Sequence, residues 1–176
     1  MTTVQVQGDS RPTADPTAVL LRELVSHLGQ NRTPLREEWV RRITEARLLT
    51  AMTREELFAE ATSVYDSYVL ALETRTLEAL QAYAQNLSER IIPRGVETHE
   101  VLGIVLLLRD VLARSLFEKY QDDFDLLKQV LDAYEPAANR IANTVGVSFV
   151  EQRERIIRQQ QEAIRSSLIA LPSRAV

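Results

Sequence analysis

The chain contains no cysteine. Disulfides, thiolate metal ligands and cysteine nucleophiles are therefore excluded together. Histidine is nearly as scarce. His27 and His99 stand far apart and in neither a His-Glu-x-x-His nor a Glu-x-x-His pattern, which argues against a histidine-built metal site. Glycine numbers only five, and no Gly-x-Ser-x-Gly, phosphate loop or Rossmann glycine pattern appears. Lysine is confined to Lys119 and Lys128. With 21 basic and 25 acidic residues the net charge is −4, so the general electrostatic footprint of a nucleic-acid binder is missing. Long apolar runs are missing too. The longest, Val101 to Leu108, is far below the roughly 20 residues that span a bilayer. The N-terminus is polar, carries Asp9 and Asp15, and does not read as a secretory signal. The expectation is a cytoplasmic protein with no membrane and no nucleic-acid partner.

What remains is helix. Residues 1–16 read as a disordered lead-in of Gly, Ser, Thr, Asp and two prolines. Asp15-Pro16 then opens a helix with Val19, Leu20, Leu24 and Leu28 at helical spacing, ended by Gly29. Thr33-Pro34 repeats the start signal before Leu35, Trp39, Ile43 and Ala46. Thr53 and Glu56 form a capping box ahead of Leu57, Ala61, Val64, Tyr68 and Leu72. A further helix is predicted from about Thr74 to Ile91, broken by Pro93 and Gly95. Thr98 is expected to cap the next, whose run Val101–Leu108 is apolar all round and so suits a central, covered position. Pro136 predicts a kink or break near residues 133–135. No alternating strand-like run appears. The predicted class is all-α, a helical bundle with a long C-terminal linker helix.

The last helix differs from the others. Phe149, Ile156, Ala163 and Ala170 recur every seven residues, as do Val150, Ile157, Ile164 and Leu171. A strict seven-residue period favours a left-handed coiled coil. The intervening residues are mostly Arg, Glu and Gln, so the apolar seam is narrow, and such a helix is stabilised chiefly by burying it. A protruding helix that pairs with its twin in a homodimer is the expectation, with Phe149, Val150, Ile156, Ile157 and Ile164 as dimer contacts. The implied division is a lead-in at 1–16, a domain at 17–145, a signalling helix at 146–171 and a tail at 172–176.

No residue cluster argues for catalysis. His27 lies at a helix end, where a cation interacts well with the carbonyl-rich terminus. His99, beside the predicted cap Thr98, reads as a solvated surface residue. Asp122, Asp123 and Asp125 lack the glycine and distal glutamate of a calcium loop and suit a helix start. The serines have no histidine near in sequence. The expectation is a non-enzyme without metal or cofactor.

Three stretches carry a resemblance. They are Pro34-Leu35-Arg36-Glu37-Glu38-Trp39-Val40, Tyr65-Asp66-Ser67-Tyr68 with Leu72-Glu73, and Ser88-Glu89-Arg90-Ile91-Ile92-Pro93-Arg94-Gly95. With the exit helix from Phe149 to Arg165, they resemble the N-terminal domain of RsbR-type stressosome proteins, the RsbT co-antagonist family. The resemblance covers residues 17–165. It implies a globin-like fold that generally binds no haem and forms dimers. These dimers stand as turrets on a core of STAS domains and promote phosphorylation by a serine/threonine kinase that leads to a general-stress sigma factor. Independently, the positions where a proximal haem ligand belongs, Tyr83 to Ser88, offer no histidine. Family members continue through a Ser-Thr-Pro segment into the STAS domain, whereas the last threonine here is Thr144. A stand-alone domain and a piece of a longer protein both fit. The alternative readings are a small-molecule-binding regulatory domain, with a pocket under the central helix, and a haem-binding sensor.

Overall fold

The protein is described here by a computed structural model covering residues 15–170. Six α-helices follow one another in the described residues: α1 Pro16–Gln30, α2 Arg32–Glu45, α3 Arg54–Thr74, α4 Glu78–Ile91, α5 Thr98–Tyr120 and α6 Phe124–Ile169. A 3-10 turn at Ile92–Arg94 separates α4 from α5. The fold is an all-α helical bundle whose last helix is far longer than the rest. The lead-in and the tail after residue 170 lie outside the described residues, as do Leu171 and most of the 1–16 segment. No described helix is long and apolar enough to cross a membrane.

Local chemistry sets most helix starts. Asp15 accepts from the Thr17 amide at 3.1 Å with Pro16 in the first turn. The Thr53–Glu56 box forms as the spacing requires, with reciprocal bonds of 3.2 and 2.7 Å. Arg94 then closes on the same Glu56 carboxylate at 3.0 Å, and its guanidinium, with the Thr53 amide, holds that carboxyl at about 2. Three starts differ from expectation. α4 begins at Glu78 rather than near Thr74, because Thr74 still belongs to α3, which Arg75 ends with a left-handed φ of +57°. Thr33-Pro34 lies inside α2, because Asn31 alone joins α1 to α2 and its side chain donates to the His27 carbonyl at 2.9 Å. At α5 the cap is Glu97 rather than Thr98. The Glu97 amide donates to Glu100 at 2.9 Å, and the other Glu100 oxygen takes the Leu49 amide at 2.9 Å, fixing α5 to the α2–α3 connection.

Pro136 does not break its helix. α6 runs unbroken from Phe124 to Ile169. An internal proline removes one backbone hydrogen bond and costs about 3 kcal/mol. Against that stands the row Tyr134, Ala138 and Ile141, buried to 1% exposure or less across the proline. Burying such side chains is worth roughly 1.5–3 kcal/mol for each large one, so continuation of the helix wins. Pro136 itself is exposed, where water can satisfy the freed carbonyl. The helix that carries residues 146–169 therefore begins at Phe124.

The core joins α5 to all its neighbours except on one side. Trp39 of α2, 1% exposed, donates its indole N–H to the Ile104 carbonyl at 2.8 Å. Tyr134 of α6 donates to the Arg109 carbonyl at 3.1 Å, so the Tyr68–Tyr134 contact of 3.0 Å has Tyr68 as donor. Burial raises both phenols, Tyr68 to about 12. Leu102 of α5 nests against Gly146 of α6. A Cβ there would stand 2.7 Å from the leucine methyl, which is why the two backbones can approach closely.

His27 stands in the last turn of α1, and its ring is engaged by two side chains. Asn31 donates to its Nδ1 at 3.2 Å, so Nε2 carries the proton and donates to Ser115 at 2.8 Å. Desolvation, aided by Lys119, lowers its pKa below the ordinary 6.5, and a second ring proton would face the Asn31 amide donor. In the unfolded chain the ring protonates at about 6.5, so there the unfolded state binds more protons. Stability is therefore full above that pH and falls as pH drops below it. Urea midpoints should decline between about pH 7.5 and about pH 5.5, and His27→Gln should flatten that decline. An unchanged slope in the variant would assign the effect elsewhere.

Candidate functional site

The side of α5 left uncovered carries the row Leu102, Leu106, Arg109, Ala113 and Phe117, at the i, i+4, i+7, i+11, i+15 positions of one face. Leu106 is 49% and Phe117 52% exposed. The helix expected to be central and covered on most sides is thus exposed on this face at Leu106 and Phe117, with Leu102, Arg109 and Ala113 half-buried between and beside them. Of the seven large exposed apolar residues on α6, five, Val147, Val150, Ile157, Ile164 and Leu168, are spaced by 3, 7, 7 and 4 and share one face; Phe124 and Ile169, at its two ends, are the others. Leu102 sits on Gly146, one turn before Val150, so the two rows adjoin. The Arg109–Glu135 ion pair crosses between the helices within this face. Contiguous exposed apolar surface of this kind marks an interaction site.

Past the bundle, α6 stands alone. Gln152 is the last buried residue, and from Arg153 to Ala170 only Ile156 is half-buried. Arg155 holds the root of the projection, donating to Glu89 of α4 at 2.8 Å and to Gln152 at 2.5 Å.

The five residues expected on the dimer seam separate into two groups. Val150, Ile157 and Ile164 lie exposed on the common face. Phe149 does not: it is 1% exposed and packs inside the bundle beside Leu80, Ala84 and Ile104. Its seven-residue row points into the core at this level and leaves it only where the neighbouring helices end, which is why Ile156, one repeat on, is half-buried. Leu106, Phe117 and Val147 were missed. The signal for the first two was present in a helix with more apolar residues than one buried face can use.

Between α3, α4, α5 and α6 lies an enclosed apolar cavity of about 30 Å3, bordered by Leu80, Ala84, Leu87, Ser88, Ile104 and Phe149. Ligand pockets run to roughly 300–1,000 Å3, an order of magnitude larger. The polar groups of α4 beside it are engaged locally. Tyr83 donates to Glu60, which also holds Arg90, and Ser88 donates to the Ala84 carbonyl at 2.6 Å. Burial and the Glu60 carboxylate both raise the Tyr83 phenol, keeping it protonated.

The acidic cluster at the start of α6 is a cap: Asp123 accepts from the Leu126 amide at 3.0 Å. Among the described residues no group of three His, Asp or Glu side chains is gathered as a metal site. His99 is exposed beside Glu97. Comparison of the chain with protein-family models, with curated proteins and with solved structures finds no match.

Proposed function

We propose that this chain is a dimeric sensory domain of the stressosome turret type, with α5 and α6 as its dimer face and α6 as the output element. On this reading a stress signal changes the packing of two chains, and α6 relays the change to a STAS output domain and a serine/threonine kinase controlling sigma-factor activity. The observation that carries it is the apolar face of α5 and α6 continuing beyond the bundle as the seam Ile157, Ile164 and Leu168. A helix of this polarity lacks cover for that seam when alone. The resemblance of residues 17–165 to RsbR-type N-terminal domains supplies the rest. No catalytic role is assigned. Relay needs two packings of the pair close in free energy, shifted by a signal that favours one of them.

Sedimentation of the full chain tests the dimer directly. The wild type should run as a dimer, while Ile157→Asp and Ile164→Asp should run as monomers. Placing an unpaired carboxylate in an interface costs several kcal/mol, enough for more than about a hundredfold loss of affinity. Both positions are exposed and lie beyond the bundle, so the bundle should still unfold in a cooperative thermal transition in each variant. A monomeric wild type, or variants that sediment as the wild type does, would overturn the proposal.

A further inference from the structure

One sizeable concavity lies outside the bundle interior. It is an open groove of about 770 Å3 at the corner where α2 passes into α3. Leu49, Met52, Leu57, Phe58, Arg47 and Arg54 are among its lining residues, and the Arg36 guanidinium stacks on one side of the Phe58 ring at 4.4 Å. That volume lies within the ordinary range of small-molecule sites, and an apolar floor with a few convergent charges is their usual chemistry.

Charge gives the groove its sign. Three guanidiniums and two carboxylates line it, on a chain whose net charge is negative. Arg41 is already paired, with Glu38 at 2.7 Å and with Glu45. Arg47 and Arg54 form no ion pair with any described carboxylate. Two unengaged guanidiniums thus stand beside apolar surface.

The backbone there is held in an unusual form. Arg47 and Leu49 both have left-handed φ, +55° and +53°, without being glycine. Such conformations persist only where surrounding contacts impose them, and they cluster at ligand-binding and switching sites. Those contacts are visible. The Leu49 amide is bound by Glu100 at 2.9 Å, the Leu48 methyl group fits over Gly103, and Arg94 donates to the Ala51 carbonyl. Two of these three anchors are on α5, the helix that carries the exposed apolar face.

We infer that this groove binds a small amphipathic carboxylate, with its apolar body on Leu49, Met52, Leu57 and Phe58 and its anionic group on Arg47 and Arg54. As the entry point of a signal it rests on the sensory reading above; as a binding site it does not. A carboxylate would gain charge-assisted hydrogen bonds from the two guanidiniums that an uncharged ligand would not, and a cationic one would be repelled by them.

Isothermal titration calorimetry of the full chain reads binding directly. Decanoate, kept below its micellar concentration, is the probe, with decyltrimethylammonium as the matched cation. Decanoate should give a saturable heat of binding and the cation should not. Arg47→Gln with Arg54→Gln should weaken decanoate at least about tenfold, since hydrogen bonds to charged groups contribute about 1.5–3 kcal/mol. Both arginines are exposed, and an unchanged thermal midpoint shows that the variant folds. Equal response to both amphiphiles, no response to decanoate, or undiminished affinity in the double variant would overturn the inference. Sedimentation without decanoate reads the dimer separately, so failure of one reading is distinguishable from failure of the other.

Discussion

Replacing Trp39 by alanine should lower stability by about 3–5 kcal/mol, the range for truncating a large buried aromatic side chain. The indole is 1% exposed and is one of only three buried residues on α2, with Val40 and Ile43. With the half-buried Leu35, these three side chains are the main apolar anchor of α2 to the bundle. Domains of this size have about 5–15 kcal/mol in total, so the loss would leave the variant marginally folded. Trp39→Phe separates two contributions. It keeps most of the buried ring and removes the indole N–H that bonds the Ile104 carbonyl. That carbonyl lies inside α5, where an intrahelical bond remains available, so the loss should be about 0.5–1.5 kcal/mol. Urea denaturation followed by circular dichroism measures both. Equal losses in the two variants would mean that the hydrogen bond, not the volume, holds α2 in place.

Pro136→Ala should raise stability by about 2 kcal/mol. Proline inside a helix costs about 3 kcal/mol relative to alanine, and its ring crowds the carbonyl four residues back. Alanine restores the amide that the Asp132 carbonyl lacks. Against that gain, the unfolded chain recovers roughly 0.4–1 kcal/mol of conformational freedom when proline is removed. Pro136 is exposed, so no core packing is lost. For a chain of this length the gain corresponds to a rise in thermal midpoint of roughly 4–8 °C. A lowered midpoint would show that the ring makes contacts that the helix needs.

Features legible in the sequence were those decided within a few residues. Thr53 and Glu56 form their box because hydroxyl and carboxylate need only the three-residue spacing. Other positions were decided by distant partners. Glu100 serves Leu49 across the fold as well as its own helix start, and the cap moved to Glu97. Pro136 obeyed the buried row around it rather than its local rule. Phe149 and Ile157 belong to neighbouring seven-residue rows, but the period does not say where the bundle ends. One therefore lies in the core and the other in the exposed seam. The groove had no signal at all, since Arg47 and Leu49 take left-handed backbone without the glycine that would announce it.

The unbroken course of α6 also fixes its mechanics. Its 46 residues, at 1.5 Å each, make a shaft about 69 Å long, gripped by the bundle at one end and free at the other. If such a shaft turned as a rigid body, a few degrees of roll beside α5 would reach Ile164 unchanged. Its angular phase is equally rigid. Removing seven residues from the free part shortens it by about 10 Å and nearly preserves the direction of the tip, whereas removing one swings the tip by about 100°. Length and heading at the far end are thus separately adjustable, and only the heading depends on residue count modulo the helical repeat.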